Sequence, residues 1–153
     1  MAISAAAATV AISAAGCQRL GRAIIAADIS RRSQPMTVIY HNPRCSKSRA
    51  TLALLREHGV EPQVVRYLDT PPDAAALRAI TVKLNCSIRD LIRSGEDAYR
   101  ALGLGGKIKN LSEAALIDIV AAHPKLLQRP IVIHGKRAAV GRPPENVLSI
   151  LQP

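Results

Sequence analysis

Two short β-branched runs, "TVIYH" at residues 37–41 and "QVVRYL" at residues 63–68, flank a segment patterned as a helix. This spacing constrains the fold more than any other feature of the chain. Antiparallel neighbours can be joined by two residues, whereas parallel strands need a crossover of a dozen or more. The helix signals begin after Cys45 and stop at "EHG", with Gly59 at the position favoured just past a helix end. Leu52 and Leu55 share one face of that helix. The stretch therefore predicts a right-handed βαβ unit with parallel strands.

Downstream, "TPPDAAALRAITVKL" predicts a second helix, with Thr70 as its cap, Pro71 at the first helical position and Asp73 completing a capping box. Two more helices are expected near "SIRDLIRSG" and "SEAALIDIVAAHP", the latter capped by Ser112. "RPIVIHG" and "RAAVGR" predict a β-hairpin turning at Gly135-Lys136. "PPENVLSIL" closes the chain as a helix with Pro at its start. The order is α/β: βαβ, an all-helical insertion, then ββα. Residues 1–35 differ in being Ala- and Ser-rich, with four Arg and one acidic residue, Asp28. They are expected to be an N-terminal extension, disordered, leader-like or translated from a start ahead of Met36, with the folded domain at 36–153. Helix is locally plausible around residues 3–27, but the sequence offers no core for it to join.

At 153 residues the chain can bury one sizeable core. It has no Phe and no Trp, so Leu, Ile, Val and Ala must build that core. No apolar run reaches the roughly 18 residues of a membrane span. The net charge of +10 raises nucleic acid, anionic membranes and small oxyanions as partners. Single-strand binders need aromatic platforms, and three Tyr are the only aromatic residues. The expectation is therefore neither nucleic acid nor membrane. Cys17, Cys45 and Cys86 form no C-x-x-C pair, and Ser48 stands where a second thiol would close one on Cys45. That spacing argues against a zinc site and a disulfide framework, and fits a reducing cytoplasm. No bound metal or cofactor is expected.

Cys45 lies where the first strand turns into the first helix. A thiol there is either a small buried filler or a nucleophile. The free helix N–H groups carry roughly half a positive charge, which lowers a thiol pKa from about 8.5. Arg44, Lys47 and Arg49 add positive charge nearby. The same helix start can bind a tetrahedral anion. His58, His123 and His134 are scattered and read as structural or solvated.

The runs "IYHNPRCSKSR", "RYLDTPP", "LIRSGEDAY", "QRPIVI" and "GRPPENVL" occur in an order that resembles the glutaredoxin-dependent arsenate reductase family, a branch of the thioredoxin-like fold. The resemblance runs from about Thr37 to Leu151. It is strongest to the branch with "CSKSR" at the nucleophile in place of "CGTSR". It implies that Cys45 is the nucleophile and that His41 and Ser48 donate to its thiolate. It further implies that Arg93, Arg129 and Arg142 hold the oxyanion through guanidinium forks, which match two oxygens at once. Pro130 would be the cis-proline that faces the nucleophile loop. The implied activity is reduction of arsenate to arsenite.

That reduction takes two electrons, so a second thiol must complete what Cys45 begins and leave it in a mixed disulfide. Cys86 is the internal candidate in the folded part, but its helical setting beside Leu84 predicts burial. Glutathione is then the co-substrate and glutaredoxin the recycling partner. Three rival readings stand beside this one. A phosphatase-like reductase needs C-x5-R, and position 51 is Thr. An Spx-like regulator that binds RNA polymerase carries a C-x-x-C switch that Ser48 removes. A general glutathione-linked thiol oxidoreductase remains open.

Overall fold

The computed structural model describes residues 35–152. Expectations placed on residues 1–34, an extension with a helical stretch, lie outside the described residues. One sheet holds β1 (Thr37–His41), β2 (Gln63–Arg66), β3 (Ile131–His134) and β4 (Arg137–Val140) in the order β2-β1-β3-β4. β1 runs parallel to β2, with Ile39 opposite Val64, and antiparallel to β3, with Ile39 opposite Val132. The crossover between β1 and β2 is helix α1 (Ser46–Glu57). Gly59, at φ +74°, follows its end in the left-handed conformation that glycine adopts without a Cβ penalty.

Successive strand residues point to opposite faces, and the sheet uses both. Ile39 and Val132 pack with Leu55, Val147 and Ile150 on one side. Tyr40, Ile131 and Ile133 turn to the other, against Leu77, Leu116 and Leu126 of the helical insertion. Full burial of such a side chain contributes about 1.5–3 kcal/mol each. The core is aliphatic, as the absence of Phe and Trp requires.

Along the chain, β2 and β3 are separated by α2 (Ala74–Leu84), α3 (Asp97–Ala101), α4 (Leu104–Lys107) and α5 (Glu113–Ala122). A 3-10 turn at Pro144–Val147 leads into α6 (Leu148–Leu151). The sequence is thus βαβ, helical insertion, ββα, the thioredoxin-like order.

Several details differ from the sequence reading. α2 is capped by Asp73, whose Oδ1 accepts from the Ala76 N–H at 2.7 Å, and not by Thr70. Pro72 disfavours helical backbone at Pro71, so the helix starts later. β2 ends at Arg66, and the N–H groups of Asp69 and Thr70 both fold back to its carbonyl. That turn drives Tyr67 fully into the core. "SIRDLIRSG" forms only a 3-10 turn, Ile88–Leu91. The chain then extends to pair Ile92 with Leu127, an arrangement of tertiary origin.

The hairpin turns at Gly135, φ +58°, as expected. The Arg129–Pro130 bond is cis, and so is Arg142–Pro143. Gly141 sits where α1 meets Pro130: a Cβ there would stand 2.5 Å from Thr51 Oγ1 and 2.8 Å from Pro130 Cγ.

Candidate active site

The loop from β1 to α1 is shaped by Asn42. Its Oδ1 accepts from the Arg44 N–H at 2.9 Å, and its carbonyl accepts from the Cys45 N–H at 3.0 Å. This turn sets Cys45 as the N-cap residue of α1, in extended backbone. Its side chain makes no cap hydrogen bond of regular geometry, but the sulfur faces the free N–H groups of the first turn. Partial burial pushes the thiol up. The Ser48 N–H, the Arg129 guanidinium and the Lys47 N–H together outweigh it and hold the thiol below its ordinary value.

Ser48 therefore meets Cys45 through its backbone. Its hydroxyl is fully buried and otherwise occupied: it accepts from the Asn42 N–H at 3.0 Å and lies 2.8 Å from His41 Nδ1. One proton joins the hydroxyl and the ring nitrogen, carried by either according to the tautomer of His41. Burial lowers the His41 pKa, a hydrogen bond to the Ser48 backbone works the other way, and Arg66 and Arg56 lower it further. His41 is thus a neutral ring that holds the serine, one residue removed from the sulfur.

The three arginines are not equivalent. Arg93 and Arg129 come together because the Ile92–Leu127 bridge lays their segments side by side, with the Arg93 N–H on the Leu126 carbonyl at 2.8 Å. Arg129 Nη1 donates to Tyr67 Oη at 3.2 Å, and its Nη2 donates to Glu96 Oε1 at 3.2 Å. Arg93 Nε lies 3.0 Å from the same Glu96 oxygen, a charge contact whose N–H is not aimed at the acceptor. Arg93 Nη1 and Arg129 Nε are buried without partners among the described residues. Arg142 is exposed, and its Nε donates to the Arg129 carbonyl at 3.2 Å. It braces the backbone of Arg129 and lines a separate cleft of about 730 Å³ with Cys86 and Gln128.

Cys86, expected to be buried, is only partly so. It ends a helix at the left-handed Asn85, which turns it toward that cleft. Burial, with Asp90 and Glu113 nearby, pushes its thiol up. The two thiols are thus shifted in opposite directions. Among the described residues no group of three or more His, Cys, Asp or Glu could hold a metal ion, and no helix is long and apolar enough to cross a membrane.

Sequence reasoning missed Asn42, Tyr67 and Glu96. The "NP" pair was a usable turn signal for Asn42. Tyr67 and Glu96 act through contacts 62 and 33 residues away in the chain, which no local pattern discloses.

A thiolate at a helix start, backed by unpartnered guanidinium N–H groups, is suited to attack a bound oxyanion. Comparison with known proteins gives the family. Residues 40–150 match the ArsC family. The chain is 51% identical to an arsenate reductase of Neisseria meningitidis serogroup A over 118 residues, 76% of this chain and 99% of that one. It is 55% identical to the uncharacterized protein YfgD of Escherichia coli K12 over 114 residues, 74% of this chain and 94% of the relative. An arsenate reductase structure from Vibrio cholerae superposes with a TM-score of 0.73 at 47% identity, covering 77% of this chain and 99% of that one. The chain is a member of the ArsC family.

Proposed function

We propose that this protein reduces arsenate to arsenite through a thiolate nucleophile at Cys45, with glutathione as co-substrate and glutaredoxin as recycling partner. The observation that carries the reading is Arg129, whose guanidinium stands beside the Cys45 sulfur and keeps a buried N–H without a partner among the described residues. A tetrahedral anion held there has its central atom within reach of the thiolate.

The chemistry balances as follows. Cys45 attacks arsenic, an S–As bond forms, and a protonated hydroxyl leaves as water. A glutathione thiolate then attacks the Cys45 sulfur, the S–As bond breaks, and its electron pair stays on arsenic as arsenite. Cys45 is left in a mixed disulfide with glutathione, which glutaredoxin removes by exchange. Cys86 has no part, because its thiol is pushed up and lies in the other cleft. A reducing cytoplasm suits a site that must keep Cys45 as a free thiolate.

The test is a coupled assay with arsenate, glutathione, glutaredoxin, glutathione reductase and NADPH. Cys45→Ser abolishes arsenate-dependent NADPH loss, and Cys86→Ser retains most of it. Equal loss in both would mean an internal disulfide relay. Turnover of glutathionylated peptides without any turnover of arsenate would favour a general thiol oxidoreductase.

A further inference from the structure

Glu96 is an unusual carboxylate. Its Oε1 stands between two guanidiniums, 3.0 Å from Arg93 Nε and 3.2 Å from Arg129 Nη2, with all three side chains only 15–22% exposed. It occupies the N-cap position of α3, yet its side chain forms no cap hydrogen bond. Acidic residues at a helix start ordinarily serve their own helix. Glu96 faces the arginines instead.

We infer that Glu96 is a specificity-determining residue, a resident counter-charge that keeps both guanidiniums in place while weakening their hold on multiply charged anions. This rests on the reading of the cluster as an oxyanion site. Two unopposed guanidiniums beside a helix start would bind phosphate and sulfate well, and either anion would block Cys45 without reacting. With Glu96 present, the three side chains carry two positive charges and one negative, a net +1. Non-covalent affinity is thereby kept low for every tetrahedral anion alike. The ligand that gains is one whose central atom also forms a bond to the thiolate. Arsenate exchanges an oxygen for a thiolate readily; phosphate and sulfate do so far more slowly. Selectivity then comes from the covalent step, and Glu96 keeps non-covalent binding from masking it.

The experiment needs no turnover. Full-length protein is alkylated with iodoacetamide over a range of sulfate or inorganic phosphate concentrations, and modification is read at the Cys45 peptide by mass spectrometry. Wild type, Glu96→Gln and Glu96→Asp are compared at constant ionic strength. Glutamine keeps an acceptor oxygen and loses the charge; aspartate keeps the charge. In Glu96→Gln, half-protection is expected at about tenfold lower anion concentration, the scale of one partly screened charge at contact distance. Glu96→Asp is expected to stay close to wild type. Unchanged or weaker protection in Glu96→Gln, or equal tightening in both variants, overturns the assignment. If neither anion protects Cys45 in any of the three proteins, the oxyanion reading falls and the role of Glu96 falls with it. Equal protection in all three removes only the role of Glu96.

Discussion

Tyr67 and Arg129, 62 positions apart, meet at 3.2 Å between phenolic oxygen and Nη1, and the same guanidinium stands beside the Cys45 sulfur. The fully buried ring of Tyr67 thus fixes a charge that lowers the Cys45 pKa. Arg129→Lys replaces a planar fork with a point charge that cannot serve Tyr67, Glu96 and Cys45 together. Loss of one charge-assisted hydrogen bond, about 1.5–3 kcal/mol, corresponds to roughly 10- to 100-fold in kcat/KM. Steady-state kinetics with arsenate measures it, and near-normal activity would remove Arg129 from the mechanism.

Alkylation rate against pH should separate the two described cysteines. Cys45 lies below the ordinary thiol value of about 8.5, so its rate rises at lower pH, while Cys86 lies above and lags. Coincident profiles would contradict the activation by the α1 N–H groups and Arg129.

Ser48→Ala separates structure from chemistry. Removing the hydroxyl leaves the Asn42 N–H and His41 Nδ1 without their buried partner, a loss of about 1–3 kcal/mol. The Ser48 N–H that faces Cys45 survives the substitution. Thermal melts should fall by several degrees while the Cys45 titration moves little; a large shift in that titration would make the hydroxyl a direct partner of the thiolate.

His41 gives stability a pH dependence whose sign is fixed. Its folded pKa is below the ordinary 6.5, so the unfolded chain binds the proton first. The contribution is full above 6.5 and is lost as pH falls through the folded value. His134, also lowered by burial, adds in the same direction. Melting temperatures between pH 7.5 and 5.5 should drop less steeply in His41→Gln than in wild type, and parallel slopes would refute the assignment.

Gly141→Ala forces a methyl group against Thr51 Oγ1 and Pro130 Cγ. Overpacking of this kind costs about 1–3 kcal/mol, and urea denaturation would register it. Unchanged stability would mean that α1 and the segment around Pro130 can part without cost.

The sequence disclosed what local pattern can carry. β1, α1, the Ser112 cap and the Gly135 turn follow from β-branched runs, cap chemistry and glycine, and each stands where expected. Resemblance added the arginines. What stayed hidden is long-range: Arg93 is held by the extended Ile92–Leu127 bridge beside it and its own N–H on the Leu126 carbonyl, not by a helix, and Glu96 gains its meaning only from two guanidiniums brought to it. Ser48 shows a subtler limit. Its position was legible, but not which of its atoms meets the sulfur.

The activation of Cys45 has two parts with different histories. The N–H groups of Lys47 and Ser48 belong to its own helix and exist as soon as α1 forms. Arg129 is held by Tyr67 and Glu96 and comes from a segment 84 positions later, so its share exists only once β3 has joined β1. An incomplete chain therefore carries a duller thiol than a finished one. Full nucleophilic character requires the closure of the sheet, and so does the susceptibility to oxidation that a lowered thiol pKa brings.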